Sequence, residues 1–99
     1  IVTEIENVFH TSEVSCSSNS MIPTISCKDV TYWQKTNDFR EGAIYLYKRG
    51  DNHVVHRLVK DCREGCYGLI FKGDNNRNAD EIVNESQILG HVNRINYYR

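Results

Sequence analysis

The chain has 99 residues and a mass of 11.5 kDa, the size of one small domain, so we predict a single domain over residues 1–99. Lys and Arg number 12 and Asp and Glu number 13, a net charge of −1, which argues against nucleic-acid binding because such proteins need a clear basic excess. No run of about 18 apolar residues occurs, so we expect no membrane-spanning segment among these residues.

Short segments rich in β-branched and aromatic residues recur along the chain, and this pattern is typical of strands. In chain order, strands are predicted at 30–33, 44–47, 54–59, 67–71 and 88–95, with a further candidate at 14–16. Residues 1–10 are compatible with either a strand or a short helix. Turn-forming residues separate the later strands at 49–52, 62–65 and 73–76. We therefore predict an all-β barrel or sandwich.

The four cysteines, Cys16, Cys27, Cys62 and Cys66, allow three disulfide pairings, and the sequence does not choose among them. The pairings 16–27 and 62–66 are the simplest because each closes a short loop. One alternative is a zinc site that combines the close cysteine pair with histidines drawn from His10, His53, His56 and His91. Free buried thiols are the other. Paired cysteines in a small domain favour an oxidising compartment.

The segment Ser18–Thr24 differs from the strand pattern because it contains the only proline and the only methionine of the chain. Proline lacks an amide hydrogen and fixes its own φ, so Pro23 interrupts strand pairing and holds the chain in a bend. A serine beside such a bend presents its hydroxyl at a reproducible angle. An ordinary serine-rich loop has the same composition, so this segment alone does not define a site.

A base and an acid that could activate a serine occur further along the chain. His56 lies in the apolar strand 54–59, where it is either a buried structural residue or a base held on a rigid element. Asp74, Asp80 and Glu81 all follow the next strand, and one of them could orient the imidazole. Spacing alone does not bring these groups together.

Four segments, in this order, resemble the sequence boxes of type I signal peptidases. Ser18–Thr24 resembles the Ser-x-Ser-Met-x-Pro-Thr box, and Val55–Val59 resembles the His-Arg-Val box of the archaeal and endoplasmic-reticulum branch. Phe71–Asn76, followed by Asp80, is similar to the Lys-Gly-Asp-Asn-Asn box with its trailing aspartate, and Ser86–Val92 resembles the closing strand. The resemblance covers roughly residues 14 to 95.

Proteins of this family are serine endopeptidases that remove signal peptides, and the resemblance implies the same activity here. It implies that Ser20 attacks the scissile carbonyl and that His56, where bacterial members have lysine, is the general base. Asp80 is implied as the acid that orients His56, with Asp74 as the alternative acid or a supporting residue. The backbone N–H of Ser20 and the hydroxyl of Ser18 are implied as oxyanion donors.

The resemblance also implies an all-β fold, a mostly antiparallel, partly closed and coiled β-barrel that signal peptidases share with SOS-repressor proteases. The implied substrates are signal peptides of exported preproteins, read along a strand edge and cut after small residues, but the substrate-binding residues are not identified. No metal, cofactor or nucleic-acid partner is implied. The catalytic domain, residues 1–99, is expected on the extracytoplasmic side of a membrane, held by an anchor outside this chain.

Two other functions stay open. A self-cleaving domain of the SOS-repressor kind would use a Ser–Lys pair, with Lys60 or Lys72 as the base. A catalytically inactive interaction domain, stabilised by disulfides, would use no base at all.

Overall fold

The computed structural model describes residues 10–13, 19–80 and 82–98. Within these ranges the chain forms seven strands and one short 3₁₀ helix. The strands are β1 His10–Glu13, β2 Val30–Gln34, β3 Ile44–Arg49, β4 Asn52–Cys62, β5 Gly68–Lys72, β6 Ile82–Val83 and β7 Ile88–Asn96, and the 3₁₀ helix is Glu85–Gln87. No helix in these ranges has the length and apolar composition that crossing a membrane requires.

The strands form one antiparallel sheet in the order β1-β2-β7-β3-β4-β5-β6. Its pairing register shifts in β2 between Tyr32 and Trp33, in β3 between Leu46 and Tyr47, and in β4 between Leu58 and Lys60. Such irregularities bend a strand and increase its twist, which lets a single sheet curl into a half-barrel. The predicted all-β, mostly antiparallel and partly closed barrel is thereby confirmed.

The central strand β3 pairs with β7 along one edge and with β4 along the other, and its first four residues, 44–47, are buried on both faces. Tyr45 and Tyr47 point into one apolar cluster, whereas Ile44 and Leu46 point into the other. The first cluster is completed by Leu58, Leu69, Phe71 and Val83, and the second by Met21, Ile25 and Val92. The second cluster therefore includes side chains from the proline-containing segment, which fixes that segment against the sheet.

Most predicted strands coincide with observed ones. The segments 30–33, 44–47, 54–59 and 88–95 lie within β2, β3, β4 and β7, and 67–71 matches β5 with a shift of one residue. The candidate strand 14–16 lies outside the described residues, and so does most of 1–10, whose last residue begins β1. The short strand β6 falls in no predicted segment.

The close cysteine pair, Cys62 and Cys66, forms a disulfide across the turn between β4 and β5, with 5.2 Å between the Cα atoms. Both sulfurs are bonded to each other, so they are not available as zinc ligands. Cys27 is also disulfide-bonded, and Cys16, its partner in the simplest pairing, lies outside the described residues. No group of three or more His, Cys, Asp or Glu side chains in the described ranges is arranged to hold a metal ion.

Candidate active site

Ser20 lies in a compact series of turns between Asn19 and Ile25. The N–H of Ile22 donates to the carbonyl of Asn19 at 3.3 Å, and the N–H of Ile25 donates to the carbonyl of Met21 at 3.0 Å. The buried side chains of Met21 and Ile25 anchor these turns in the apolar cluster beneath the sheet. The serine is thus mounted on a packed loop.

A second loop, which follows β5, holds the backbone of Ser20. The Ser20 carbonyl accepts a hydrogen bond from the N–H of Asn75 at 2.7 Å, and the Asn75 side-chain amide donates to the carbonyl of Asn19 at 3.0 Å. This close approach requires glycine at position 73, because a Cβ there would lie 2.6 Å from the Ser20 carbonyl oxygen. The loop after β5 therefore fixes where the serine sits.

His56 brings its imidazole to this serine from the middle of β4. Its backbone is paired with Tyr45 of β3, and its side chain is buried, with 4% of the residue exposed. Nε2 of His56 lies 2.9 Å from Oγ of Ser20, within hydrogen-bond reach. A rigid strand therefore presents one imidazole nitrogen to the hydroxyl.

The other imidazole nitrogen contacts Asp80. Nδ1 of His56 is hydrogen-bonded to Oδ2 of Asp80, whose side chain is 11% exposed. The N–H of Asp80 donates to the carbonyl of Phe71 at 2.6 Å, which ties the returning chain to the end of β5. Ser20, His56 and Asp80 consequently form a continuous hydrogen-bonded row, in the order that a nucleophile, a base and an orienting acid require.

Asp74 lies on a different set of contacts. Its carboxylate accepts hydrogen bonds from Nε and Nη2 of Arg57 at 2.9 and 2.8 Å and from the hydroxyl of Thr24 at 2.6 Å. The Arg57 guanidinium also donates to the carbonyl of Gly42 at 2.6 Å. Asp74 therefore connects the serine-bearing loop to the sheet, as a supporting residue would, and Asp80 is the acid on the imidazole.

The ion pair between Arg57 and Asp74 shifts the pKa of both side chains. The hydrogen bonds from Arg57, reinforced by the Thr24 hydroxyl, hold the pKa of Asp74 below its ordinary value of 3.8, and the Asp74 carboxylate raises the pKa of Arg57. A depressed carboxyl pKa adds stability that is fully present above the pKa of the unfolded chain. That stability is lost as the pH falls through the lower pKa of the folded state.

Replacing Asp74 with Asn should therefore lower the free energy of unfolding at pH 7 by about 1.5–3 kcal/mol, the range for hydrogen bonds to charged groups. At a pH well below 3.8 the two proteins should approach equal stability, because the Asp74 carboxylate loses its charge as the pH falls through its lowered pKa. Urea unfolding at both pH values measures this. Asp61→Asn is the matched control, since it also removes a partner of an arginine, Arg63, but at a more exposed position than Asp74, and should cost less. Equal losses at both pH values would contradict the assignment.

The row of three residues opens into a cleft of about 540 Å³. Its walls combine apolar and polar side chains, and Ser20, His56 and Asp80 are among the polar ones. The apolar lining is Met21, Ile25, Leu46, Val54 and Val55, and the polar lining is Ser12, Ser20, Thr31, Arg49, His53, His56, Asn76 and Asp80. These residues were not identified from the sequence as substrate-binding.

One edge of β4 faces this cleft, and part of that edge has no neighbour among the described strands. β3 pairs with β4 along Asn52–Arg57, whereas β5 pairs with its opposite edge only from Arg57 to Cys62. Among the described strands, none pairs with the second edge of residues 52–56, four of which line the cleft. An extended chain could add to the sheet at this edge.

Several predicted residues do not join the row. Ser18 lies outside the described residues, so its position is not defined. Lys60 is exposed, and the ammonium of Lys72 donates to the carbonyl of Gly73 at 3.4 Å. Neither lysine lines the cleft.

The contacts that hold Asp80 and Asp74 in place were not predicted from the sequence. Tyr47 and Arg49 on β3 both reach the carboxylate of Asp80, and Thr24 and Arg57 both reach Asp74. In the sequence, Tyr47 ends the predicted strand 44–47 and has the pattern of a core residue. The register of the β3–β4 hairpin would not have singled it out, because it pairs Tyr47 with Val54 and Tyr45 with His56.

A family model described as Peptidase S24-like matches residues 8–93, a span that contains Ser20, His56 and Asp80. No curated protein matches the chain.

Proposed function

Because this chain belongs to the Peptidase S24-like family, we propose that it is a serine endopeptidase with Ser20 as nucleophile, His56 as general base and Asp80 as the orienting acid. The observation that carries the proposal is the hydrogen-bonded row itself, with 2.9 Å between Ser20 Oγ and His56 Nε2 and with Asp80 on Nδ1. Neither hydroxyl nor imidazole is reactive alone, but a serine whose proton can pass to a neighbouring base is a competent nucleophile.

In the proposed reaction His56 takes the proton of Ser20 as Oγ forms a bond to the scissile carbonyl carbon. The carbonyl oxygen becomes negatively charged and is held by the backbone N–H of Ser20, with the hydroxyl of Ser18 as the second donor. His56 then returns the proton to the leaving amine as the peptide bond breaks. A water molecule, deprotonated by the same imidazole, releases the acyl group from Ser20 and restores the hydroxyl.

We propose that the substrate is an extended peptide with small residues at the first and third positions before the cut, such as the signal peptides of exported preproteins. The unpaired edge of β4 at residues 52–56 supports backbone pairing to such a peptide, next to His56. The apolar walls of the cleft, including Met21 and Leu46, support small apolar side chains as occupants. The Cys62–Cys66 disulfide supports the proposed extracytoplasmic location.

A peptide panel tests this specificity. A peptide with Ala at the first and third positions before the cut should be cleaved after the first-position Ala, and Phe in that position should lower kcat/KM roughly 10- to 200-fold. The matched control has the same composition, with the alanines moved elsewhere, and should be cleaved as poorly as the Phe peptide. Mass spectrometry of the products identifies the bond that breaks. Equal cleavage of all three peptides would contradict the proposed specificity.

Self-cleavage of the SOS-repressor kind is the second candidate, because the family match does not distinguish repressor proteases from signal peptidases. That mechanism needs a lysine at the serine. The contact of Ser20 with His56, and the positions of Lys60 and Lys72 away from the cleft lining, favour the histidine-based reaction. A catalytically inactive interaction domain would leave the hydrogen-bonded row without a use.

A further inference from the structure

Tyr47 contacts the row of three residues but does not line the cleft. It is 1% exposed, and its ring lies in the apolar cluster beside Phe71, 4.7 Å between ring centroids. Its hydroxyl leaves this cluster and donates to Oδ2 of Asp80 at 2.7 Å. The same hydroxyl oxygen lies 3.3 Å from Nδ1 of His56 and 3.3 Å from Nη2 of Arg49.

The hydrogen-bonding capacity of this hydroxyl is used in full. A phenol has one hydrogen to donate and two lone pairs to accept with. The hydrogen goes to Asp80, which leaves the lone pairs for the N–H groups of Arg49 and His56. Nδ1 of His56 consequently faces two acceptors, the carboxylate of Asp80 and the oxygen of Tyr47, and must carry a hydrogen. Nε2 is then without one and can accept the proton of Ser20.

Arg49 binds the same pair of groups from the solvent side. Its Nη2 lies 3.4 Å from Oδ2 of Asp80, and its side chain is 43% exposed. The guanidinium and the phenol therefore hold one carboxylate oxygen from two directions, and the imidazole holds it from a third. This carboxylate cannot rotate without breaking its hydrogen bonds to Tyr47 and His56 and its ion pair with Arg49.

We propose that Tyr47, assisted by Arg49, is a positioning residue that fixes the Asp80 carboxylate against Nδ1 of His56 and so keeps Nε2 aimed at Ser20. The inference rests on the proposed function, since the proton transfer it serves is the one between Ser20 and His56. Burial and the hydrogen bond to Asp80 raise the pKa of Tyr47, so its hydroxyl keeps the hydrogen that it donates throughout the neutral range.

Tyr47→Phe tests the role because it removes the hydroxyl and leaves the ring in place. We expect kcat for a cleaved peptide to fall about tenfold to a hundredfold, with KM within about twofold, since Tyr47 does not line the cleft. Tyr45→Phe is the matched control. It is an equally buried tyrosine on the same strand, but its hydroxyl bonds to the backbone of Arg40 and Asp38, so kcat should stay close to that of the unsubstituted protein.

A readout that does not depend on cleavage is the proton NMR signal of the His56 Nδ1–H. It should be observable in the unsubstituted protein and in Tyr45→Phe, and broadened or lost in Tyr47→Phe because water reaches the space left by the hydroxyl. Arg49→Gln, at a partly exposed position, perturbs the same carboxylate without touching the core and should lower kcat by a smaller factor.

The outcomes separate the two proposals. If Ser20→Ala retains full cleavage, the proposed function fails, whereas the NMR signal still decides whether Tyr47 holds the imidazole. If the unsubstituted protein cleaves peptides but Tyr47→Phe matches Tyr45→Phe in kcat and in the Nδ1–H signal, the positioning role alone is overturned. Should Tyr47→Phe fail to fold, an unchanged kcat and an unchanged Nδ1–H signal in Arg49→Gln overturn it instead.

Discussion

Replacing Ser20 with alanine is expected to reduce cleavage of an alanine-containing signal-peptide substrate by roughly 10⁴-fold or more, because the variant has no atom that can form the acyl intermediate. The loop should keep its shape, since the hydrogen bond that holds residue 20 in place involves its backbone carbonyl and the N–H of Asn75. Initial rates of peptide cleavage measure the loss. A fluorophosphonate probe, which acylates activated serines, should label the unsubstituted protein and leave the variant unlabelled.

The matched control is Ser26→Ala, which removes a serine hydroxyl from the next turn, where it contacts Asp29 rather than the imidazole. Its cleavage rate should stay within about twofold of the original, in line with a substitution outside the reacting groups. Cleavage or labelling that persists in Ser20→Ala would exclude Ser20 as the nucleophile. Absence of labelling in the unsubstituted, folded protein would instead favour the inactive interaction domain.

The second large effect is expected at His56. Without the imidazole nothing takes the proton from Ser20, so His56→Ala should lose about as much activity as Ser20→Ala, and the two changes together should cost little more than either alone. Lys72→Ala and Lys60→Ala should remain active, because neither lysine lines the cleft. Cleavage rates of the single and double variants, measured with one peptide, test this.

His91→Ala provides the histidine control, since this half-buried residue on β7 packs against Tyr45 and does not line the cleft. A pH–rate profile adds an independent check. The rate should rise across the neutral range, where imidazole side chains lose their proton, and a rise only near pH 9 would favour lysine. Full activity in His56→Ala, together with loss of activity in Lys60→Ala or Lys72→Ala, would reverse the preference and support the self-cleaving alternative.

The strands that sequence reasoning found are those with several consecutive apolar or β-branched residues. Ile44–Tyr47 and Val54–Val59 are readable because a strand near the centre of a sheet needs apolar side chains on both faces. β6 has two residues, Ile82 and Val83, too few to display a period. β1 could not be predicted from the sequence because its residues, His-Thr-Ser-Glu, are polar, and the strand owes its conformation to pairing with β2.

Some residues of the candidate site could also be predicted from the sequence, and others could not. Ser20, His56 and Asp80 could be named because each belongs to a recognisable sequence box. Spacing alone could not decide whether Asp80 or Asp74 orients His56. The answer depends on how the chain folds back after Gly73 and on which of the two carboxylates pairs with Arg57. Tyr47 could not be identified because a tyrosine in an apolar strand has the same pattern whether its hydroxyl is used or not.

The segment between Gly73 and Asp80 has a mechanical consequence. Its first residues clasp the backbone of Ser20, and its last residue grips the imidazole of His56. The length of this segment therefore sets the distance between two reacting groups that come from distant parts of the chain. Lengthening or shortening it by one residue would displace the nucleophile or the acid, even though its middle residues, Arg77 to Ala79, are exposed. We therefore expect this segment to accept substitutions at its exposed positions but not a change in its length.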